Sequence, residues 1–505
     1  MPTRRAFLAG SLALAAGPLL LADPPNEEPR PIALDSRKQL FLDDYLIASL
    51  TNVRRTIDPA TKHPANPMIW PTEKWEDPMN TIYGSVLVDQ GRYRMWYKSG
   101  MGCAYAQSDD GIRWTKPPLD FVEIDGQKTN LLWKKKSKKE PPGDFPYYYE
   151  LFGVHRDDAE ADPRRRYKMG FLDIDWEYKG DGGDPFHRGQ RRGMGVAASP
   201  DGLHWKVLDN WATEAICDGA THWMFDPARK LYVLYGRTRK EMPQLKAGWS
   251  KYDWFRNWYS ARAVARLESK DFVHWNYTKP DTAPVVLTPD ENDPPITEIY
   301  SIKVFPYEGV YIGLVQVFHA TPEQASLDVQ LAVSRDGVHF TRVGDRSPFI
   351  PLGPVGSWDR FNQSLANNDP IAVGDELRIY YGGRAYRHGP YNGPDKGPEQ
   401  SGIGMVSIPR DRFVALESSF DGGEILTKPL LLKSPDLHVN ANARFGEIAI
   451  ELVDVGGRVI GRCKPAREDK LDLSLAWETA PVEFDKPASL RIHLKNARLF
   501  AIWTA

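Results

Sequence analysis

A chain of 505 residues, 41% apolar and 26% charged, has the material for two or three domains and a large core, which excludes a disordered or membrane-embedded protein. A formal net charge of −2 excludes a general nucleic-acid binder, which would carry a strong positive excess. Cys103, Cys217 and Cys463 are odd in number and show no CxxC spacing, so neither a disulfide framework nor a cysteine zinc site is expected.

The chain opens on "MPTRRAFLAGSLALAAGPLLLAD", a basic start, a short apolar run and small residues near its end. This is the pattern of an export signal over residues 1–22, and Arg4-Arg5 followed by Ala6-Phe7-Leu8 fits the twin-arginine type. A bacterial periplasmic or secreted location is expected, with cleavage near Ala22 and no membrane association afterwards. Residues 33 to 70, containing "LFLDDYLIASLTNVRRTIDPA", are expected to lead into the first repeat and to pack against or close the following domain.

A turn then recurs four times, as "SDDGIRW" (Ser108–Trp114), "SPDGLHW" (Ser199–Trp205), "SKDFVHW" (Ser269–Trp275) and "SRDGVHF" (Ser334–Phe340). Aromatic and aliphatic runs too short for helices precede the copies: Tyr93–Tyr97, Tyr167–Phe171, Leu231–Tyr235 and Tyr311–Leu314. A fifth, degraded copy follows, with Leu377–Tyr381 and then Ser407–Phe413. A unit repeated about every 65 to 90 residues must bury its faces against neighbouring copies, and small sheets repeated radially form a propeller. The fold class expected is all-β, a five-bladed β-propeller over residues 33–423 followed by a small antiparallel β-sandwich over 424–505. That last segment alternates apolar and polar residues between Gly-Gly and Lys-Asn turns. Within each repeated turn the Asp caps the backbone, Gly supplies positive φ and the ring packs inward, so the motif reads as scaffold. The run Lys134–Lys139 reads as a solvated loop or as a contact for an acidic polymer.

The repeats followed by a sandwich resemble the five-bladed glycoside hydrolases of families 32, 43, 68, 117 and 130, especially the secreted 32/43-like group. Trp75-Glu-Asp-Pro-Met-Asn80 resembles the acidic element that opens the first blade in family 32, and Asp411-Arg412-Phe413 the one that closes the last. The "RDP" and "EC" elements of family 32 are absent. The resemblance implies a funnel at one end of the axis, with carboxylates from the first three blades as base or nucleophile, helper and acid.

Hydrolysis of a glycosidic bond needs one carboxylic acid to protonate the leaving oxygen and one carboxylate to attack the sugar or activate water. An acid stands before the innermost strand of each blade: Asp77 beside Glu76, then Glu150, Asp218, Glu298 and Asp359. Asp77 is expected as base or nucleophile with Glu76 as its rival, Asp218 and Glu298 compete for the general acid, and Glu150 is the helper. Arg237 is expected to pair with an acid or hold a sugar hydroxyl. His222 and His319 are read as contacts for water or sugar, or as structural residues, and Trp75, Tyr300 and Trp358 as stacking or packing rings. The substrate expected is a plant or algal oligo- or polysaccharide, with no redox cofactor; a structural Ca²⁺ near the axis is compatible with the fold but has no ligand motif. Alternatives are a carbohydrate-binding propeller without catalysis and a sialidase-like enzyme, whose Asp boxes the turns resemble but which would need an arginine triad and a nucleophilic Tyr. No HExxH, GxSxG, P-loop or Rossmann signature occurs.

Overall fold

A computed structural model describes residues 31–135, 150–176, 178–179, 190–216, 218–241, 260–280, 282–294, 296–321, 323–388, 399–481, 484 and 486–505. The export signal, Cys217 and Lys136–Lys139 of the lysine run lie outside them. Cys103 and Cys463 are buried thiols. The described chain is all-β, interrupted only by two three-residue 3-10 turns, Lys74–Glu76 and Pro163–Arg165.

Antiparallel sheet units succeed one another along the chain as a β-propeller. The first holds Asn80–Asp89, Arg92–Ser99, Gly102–Ser108 and Leu131–Lys134. The second holds Leu151–Arg156, Tyr167–Asp175, Arg191–Ser199 and Lys206–Thr213, and the third His222–Asp226, Leu231–Glu241, Ser260–Ser269 and Val285–Leu287. The fourth is Thr297–Tyr307, Val310–His319, Ser326–Ser334 and Thr341–Arg342. It is bonded by one parallel pair, Leu327 with Asn362, to the fifth, Asn362–Leu365, Glu376–Arg384 and Ser401–Pro409. The fifth unit receives its outer strand from Thr61–Lys62, which precedes the first unit in sequence, so segments flanking the propeller on both sides in sequence close one sheet. The first strand of the fourth unit is buried along nearly its whole length, as expected where both faces are covered.

The repeated turns explain how the units hold together. In the first, Asp110 Oδ1 accepts from the amides of Ile112 and Arg113 at 2.8 Å each, and Gly111 takes φ +74°. Its outer side is then used by a neighbour: Tyr380 of the fifth unit donates its hydroxyl to Gly111 O at 2.8 Å. Trp96 of the first unit donates to Gly202 O in the second turn at 2.7 Å, and Tyr235 of the third to Gly337 O in the fourth turn at 2.7 Å. The motif is scaffold, and it is also the clasp between units.

The C-terminal sandwich is two sheets packed over Ile425, Val439, Ile450, Ile492 and Leu499. Its composition corrects the expected boundaries at 33 and 424. Ile47–Thr51 pairs with Gly423–Thr427, and Arg54–Ile57 pairs with Val414–Ser418, so both N-terminal strands belong to the sandwich. The cause is apolar content: Phe41, Leu46 and Ile47 enter the sandwich core, while Leu40, Leu42 and Ile57 join Phe413 and Trp503 in a cluster that runs into the fourth and fifth units. Asp411, at this junction, accepts from Lys38 and Tyr307 at 2.6 Å each.

Candidate active site

The inner strands all begin at one end of the axis, and the residues around those beginnings form one electrostatic assembly. From the first unit come Tyr83 and Lys98; from the second, Glu150 and Arg192. The third supplies Asp218, Arg237 and Arg262, the fourth Glu298 and Tyr300, and the fifth Arg384 and His388. Lys98 Nζ donates to Glu150 Oε1 at 2.6 Å. Arg237 Nη1 donates to Asp218 Oδ2 at 2.7 Å, and Arg192 Nη1 reaches Asp218 Oδ1 at 3.3 Å. Glu298, 1% exposed, is paired with Arg262 and has Arg239 at 4.0 Å.

Glu150 and Asp218 meet at one residue. Gly219 donates its amide to Asp218 Oδ1 at 2.9 Å, while Glu150 Oε2 occupies the space a Cβ on Gly219 would need. Only glycine lets a carboxylate approach the backbone this closely. Tyr300 seals the other side: the Arg237 guanidinium stands 3.9 Å over its ring and donates from Nε to its carbonyl at 3.2 Å. His388 meets Tyr300 edge-on at 5.2 Å.

The charges fix protonation states. Burial alone would raise the Asp218 carboxyl, but Arg237, Arg192 and the Gly219 amide outweigh it and hold the group well below the usual carboxylate range. Burial, then Arg262 and Arg384, push the His388 imidazole well down, so it is neutral. Burial and then Tyr300 push the Tyr83 phenol well up. Among the described residues no three His, Cys, Asp or Glu side chains are grouped to hold a metal ion.

Of the sequence candidates, Glu150, Asp218, Glu298, Arg237 and Tyr300 lie together in this assembly. The expectation of Asp218 as the resting general acid is corrected by its arginine partners, which keep it ionised. Glu76 is no reacting group: it is fully buried and accepts from Lys116 at 2.6 Å, Tyr97 at 2.9 Å and the Thr72 amide at 2.9 Å. Trp75 is a core ring whose indole donates to Asn130 at 2.8 Å, leaving no face for a sugar. Asp359 is buried against Lys62 at 2.6 Å and Tyr381 at 2.7 Å, and Trp358 packs on Tyr381, so both brace the fifth unit. Asp77 is exposed just ahead of the first inner strand, with no side-chain hydrogen bond among the described residues. His319 pairs with Asp328 at 2.7 Å within the fourth unit.

His222 belongs to a knot on the axis below the assembly. Asn367 donates to Phe152 O at 2.6 Å and Trp223 O at 3.1 Å, and its Oδ1 accepts from the Trp223 amide at 3.2 Å beside His222 Nδ1 at 3.1 Å. The Asn367 amide donates to Gly84 O at 2.7 Å, and its side chain fills the Cβ space of Gly153, at φ +116°. One residue thereby ties the second, third and first units together. Burial first, then Lys303, lowers His155 and His222 to about 3, so both are neutral packing residues. Asn367, Lys98, Arg262 and Arg384 were missed in the sequence; the one signal for the first was the polar run Asn367-Asn368-Asp369 directly after an inner strand.

No family model matches the chain. The uncharacterized protein Rv1502 of Mycobacterium tuberculosis is 25% identical over 199 residues, 33% of this chain and 52% of that protein, so the match spans about half of its length. Among solved structures, a thermostable family-43 glycoside hydrolase is 14% identical with a TM-score of 0.40, covering 71% of this chain and 96% of its own. A glycosyl hydrolase from Bacteroides ovatus is 13% identical with a TM-score of 0.44, covering 71% and 95%. An N-acetylgalactosamine deacetylase from F. plautii, in complex with blood group B trisaccharide, is 15% identical with a TM-score of 0.39, covering 76% and 96%.

Proposed function

We propose that the chain is an exported glycosidase that cleaves its substrate at the axial assembly. The observation that carries this reading is the meeting of Glu150 and Asp218 at Gly219, two carboxyl groups from successive units with unequal partners. Asp218, held as a carboxylate by two arginines, serves as nucleophile or as base towards water. Glu150, which rests ion-paired with Lys98 and lies against Gly219, takes a proton across the Lys98 contact as substrate enters and delivers it to the leaving oxygen. Glu298 holds Arg262 in place, and Tyr300 and His388 wall the sugar site.

A panel of aryl glycosides and plant and algal polysaccharides identifies a cleaved substrate first. Asp218→Asn then lowers kcat/KM by about a hundredfold or more. Glu150→Gln does the same on poor leaving groups and spares dinitrophenyl glycosides, which need no acid. Full activity in both variants sinks the assignment.

A carbohydrate-binding propeller without catalysis has one observation in its favour: Glu150, Asp218 and Glu298 are each already paired with a cation. Glycans that are bound and never cleaved decide for it.

A further inference from the structure

The cations of the axial assembly are not all matched. Lys98 is spoken for by Glu150, Arg192 and Arg237 by Asp218, and Arg239 and Arg262 by Glu298. Arg384 differs. Its Nη2 donates to the neutral Tyr83 hydroxyl at 3.3 Å, and its guanidinium lies 5.9 Å from the Tyr83 ring and 5.8 Å from the Tyr386 ring. No carboxylate lies within ion-pair reach of it among the described residues, although it is half-buried. Arg360 repeats the pattern elsewhere in the fifth unit. Its guanidinium lies 4.5 Å from the Phe361 ring, with no carboxylate partner among the described residues, and the Phe361 amide donates to Arg384 O at 3.1 Å.

Placing a guanidinium in partly desolvated surroundings without a counter-charge is costly, and a bound anion removes that cost. Arginine is also the side chain whose planar fork matches an oxyanion with two parallel donors. Tyr83 ties this corner to the chemistry, because Lys98 Nζ stands 5.5 Å over the Tyr83 ring while bonding Glu150. Arg384 is thus separated from the Lys98–Glu150 pair by a single ring, that of Tyr83.

We propose that the axial site takes an acidic sugar, whose carboxylate or sulfate group is held by Arg384. This rests on the axial assembly being the substrate site, and it specifies the class of glycan that site accepts.

Calorimetric titration of the full chain with three size-matched oligosaccharide sets tests it: polyuronate, sulfated galactan, and neutral xylan or arabinan. The expected result is tighter binding of one anionic set, weakening with salt. Arg384→Ala should lower that affinity by roughly tenfold to a hundredfold, Arg384→Lys should recover part of it, and neutral binding should not change. A melting curve of Arg384→Ala that matches the parent, with its neutral-glycan affinity kept, checks that the loss is not a folding defect. Preference for the uronate set assigns a carboxylate, and preference for the galactan set a sulfate ester. Neutral glycans bound as well as both anionic sets, or anion binding unchanged in both Arg384 variants, overturns the proposal. Acidic glycans bound and never cleaved leave it standing and remove the glycosidase reading; neutral glycosides alone cleaved remove it and leave the glycosidase.

Discussion

Arg237 and Asp218 stand at 2.7 Å, with the guanidinium also laid over Tyr300, and this pair sets the charge at the axis. Because the folded state depresses the Asp218 carboxyl, the pair's contribution to stability is fully present above the ordinary carboxylate value of about 4 and is lost as pH falls through the lower folded value. The melting temperature of the parent should therefore exceed that of Asp218→Asn above about pH 5, and the two should converge on acidification. A gap that widens on acidification would contradict the assigned charge state. On any cleaved substrate, Arg237→Gln should move the acidic limb of kcat/KM to higher pH, since the carboxyl loses its main counter-charge.

Asn367 joins more partners than any axial carboxylate and makes no chemistry of its own. Asn367→Ala strands the Phe152 and Trp223 carbonyls and empties the space above Gly153. Each buried group left without a partner costs about 1–3 kcal/mol, so a total loss of about 3 kcal/mol or more is expected in denaturant titration. Asn367→Asp should be no milder, because it removes the donor and buries a charge. A loss below about 1 kcal/mol would show that the knot does not bear on stability.

Asp218 and Asn367 mark what the sequence could and could not reveal. Strands and turns were legible because their signals are local: a Ser, an Asp and a Gly within four residues make their own hydrogen bonds, and repetition counts the units. The phase of the repeat also singled out Glu150, Asp218 and Glu298, each ahead of the first strand of its unit. Phase does not settle which way a side chain turns. Glu76 stands beside Asp77 but faces Lys116 and Tyr97, and Asp359 faces Lys62, because both lie in turns ahead of their strands, where the strand's period does not fix the side chain's direction. Arg262 and Arg384 were invisible for another reason: an arginine inside a strand has the same local pattern whether it faces solvent or the axis.

His155 and His222 predict a second pH dependence, opposite in origin to that of the carboxylate. Both are buried neutral with values lowered to about 3, by burial first and Lys303 second. The unfolded chain binds protons at these histidines from about pH 6.5 downward while the folded chain does not, so stability falls between about 6.5 and 3. His222→Gln should flatten that slope in a series of thermal melts, even if it lowers the melting temperature at pH 7. An unchanged slope would mean that His222 titrates alike in both states.

Phe272 sets two effects of opposite sign against each other. It occupies the Gly position of the third repeated turn at φ +69°, a conformation that costs about 1–3 kcal/mol for a side chain. Its ring is fully buried, 4.4 Å from Trp223 and 5.3 Å from Tyr232, where the second unit presents Gly170 instead of an aromatic clasp. Removing a buried Phe costs about 3–5 kcal/mol. The cavity outweighs the relieved strain, so Phe272→Gly should destabilise the chain by about 1–3 kcal/mol in denaturant unfolding, although it restores the consensus of the other turns. Gly337→Ala, which adds strain and fills no cavity, should also destabilise, by about 1 kcal/mol. Stabilisation by Phe272→Gly would mean that the turn, and not the ring, joins the second and third units.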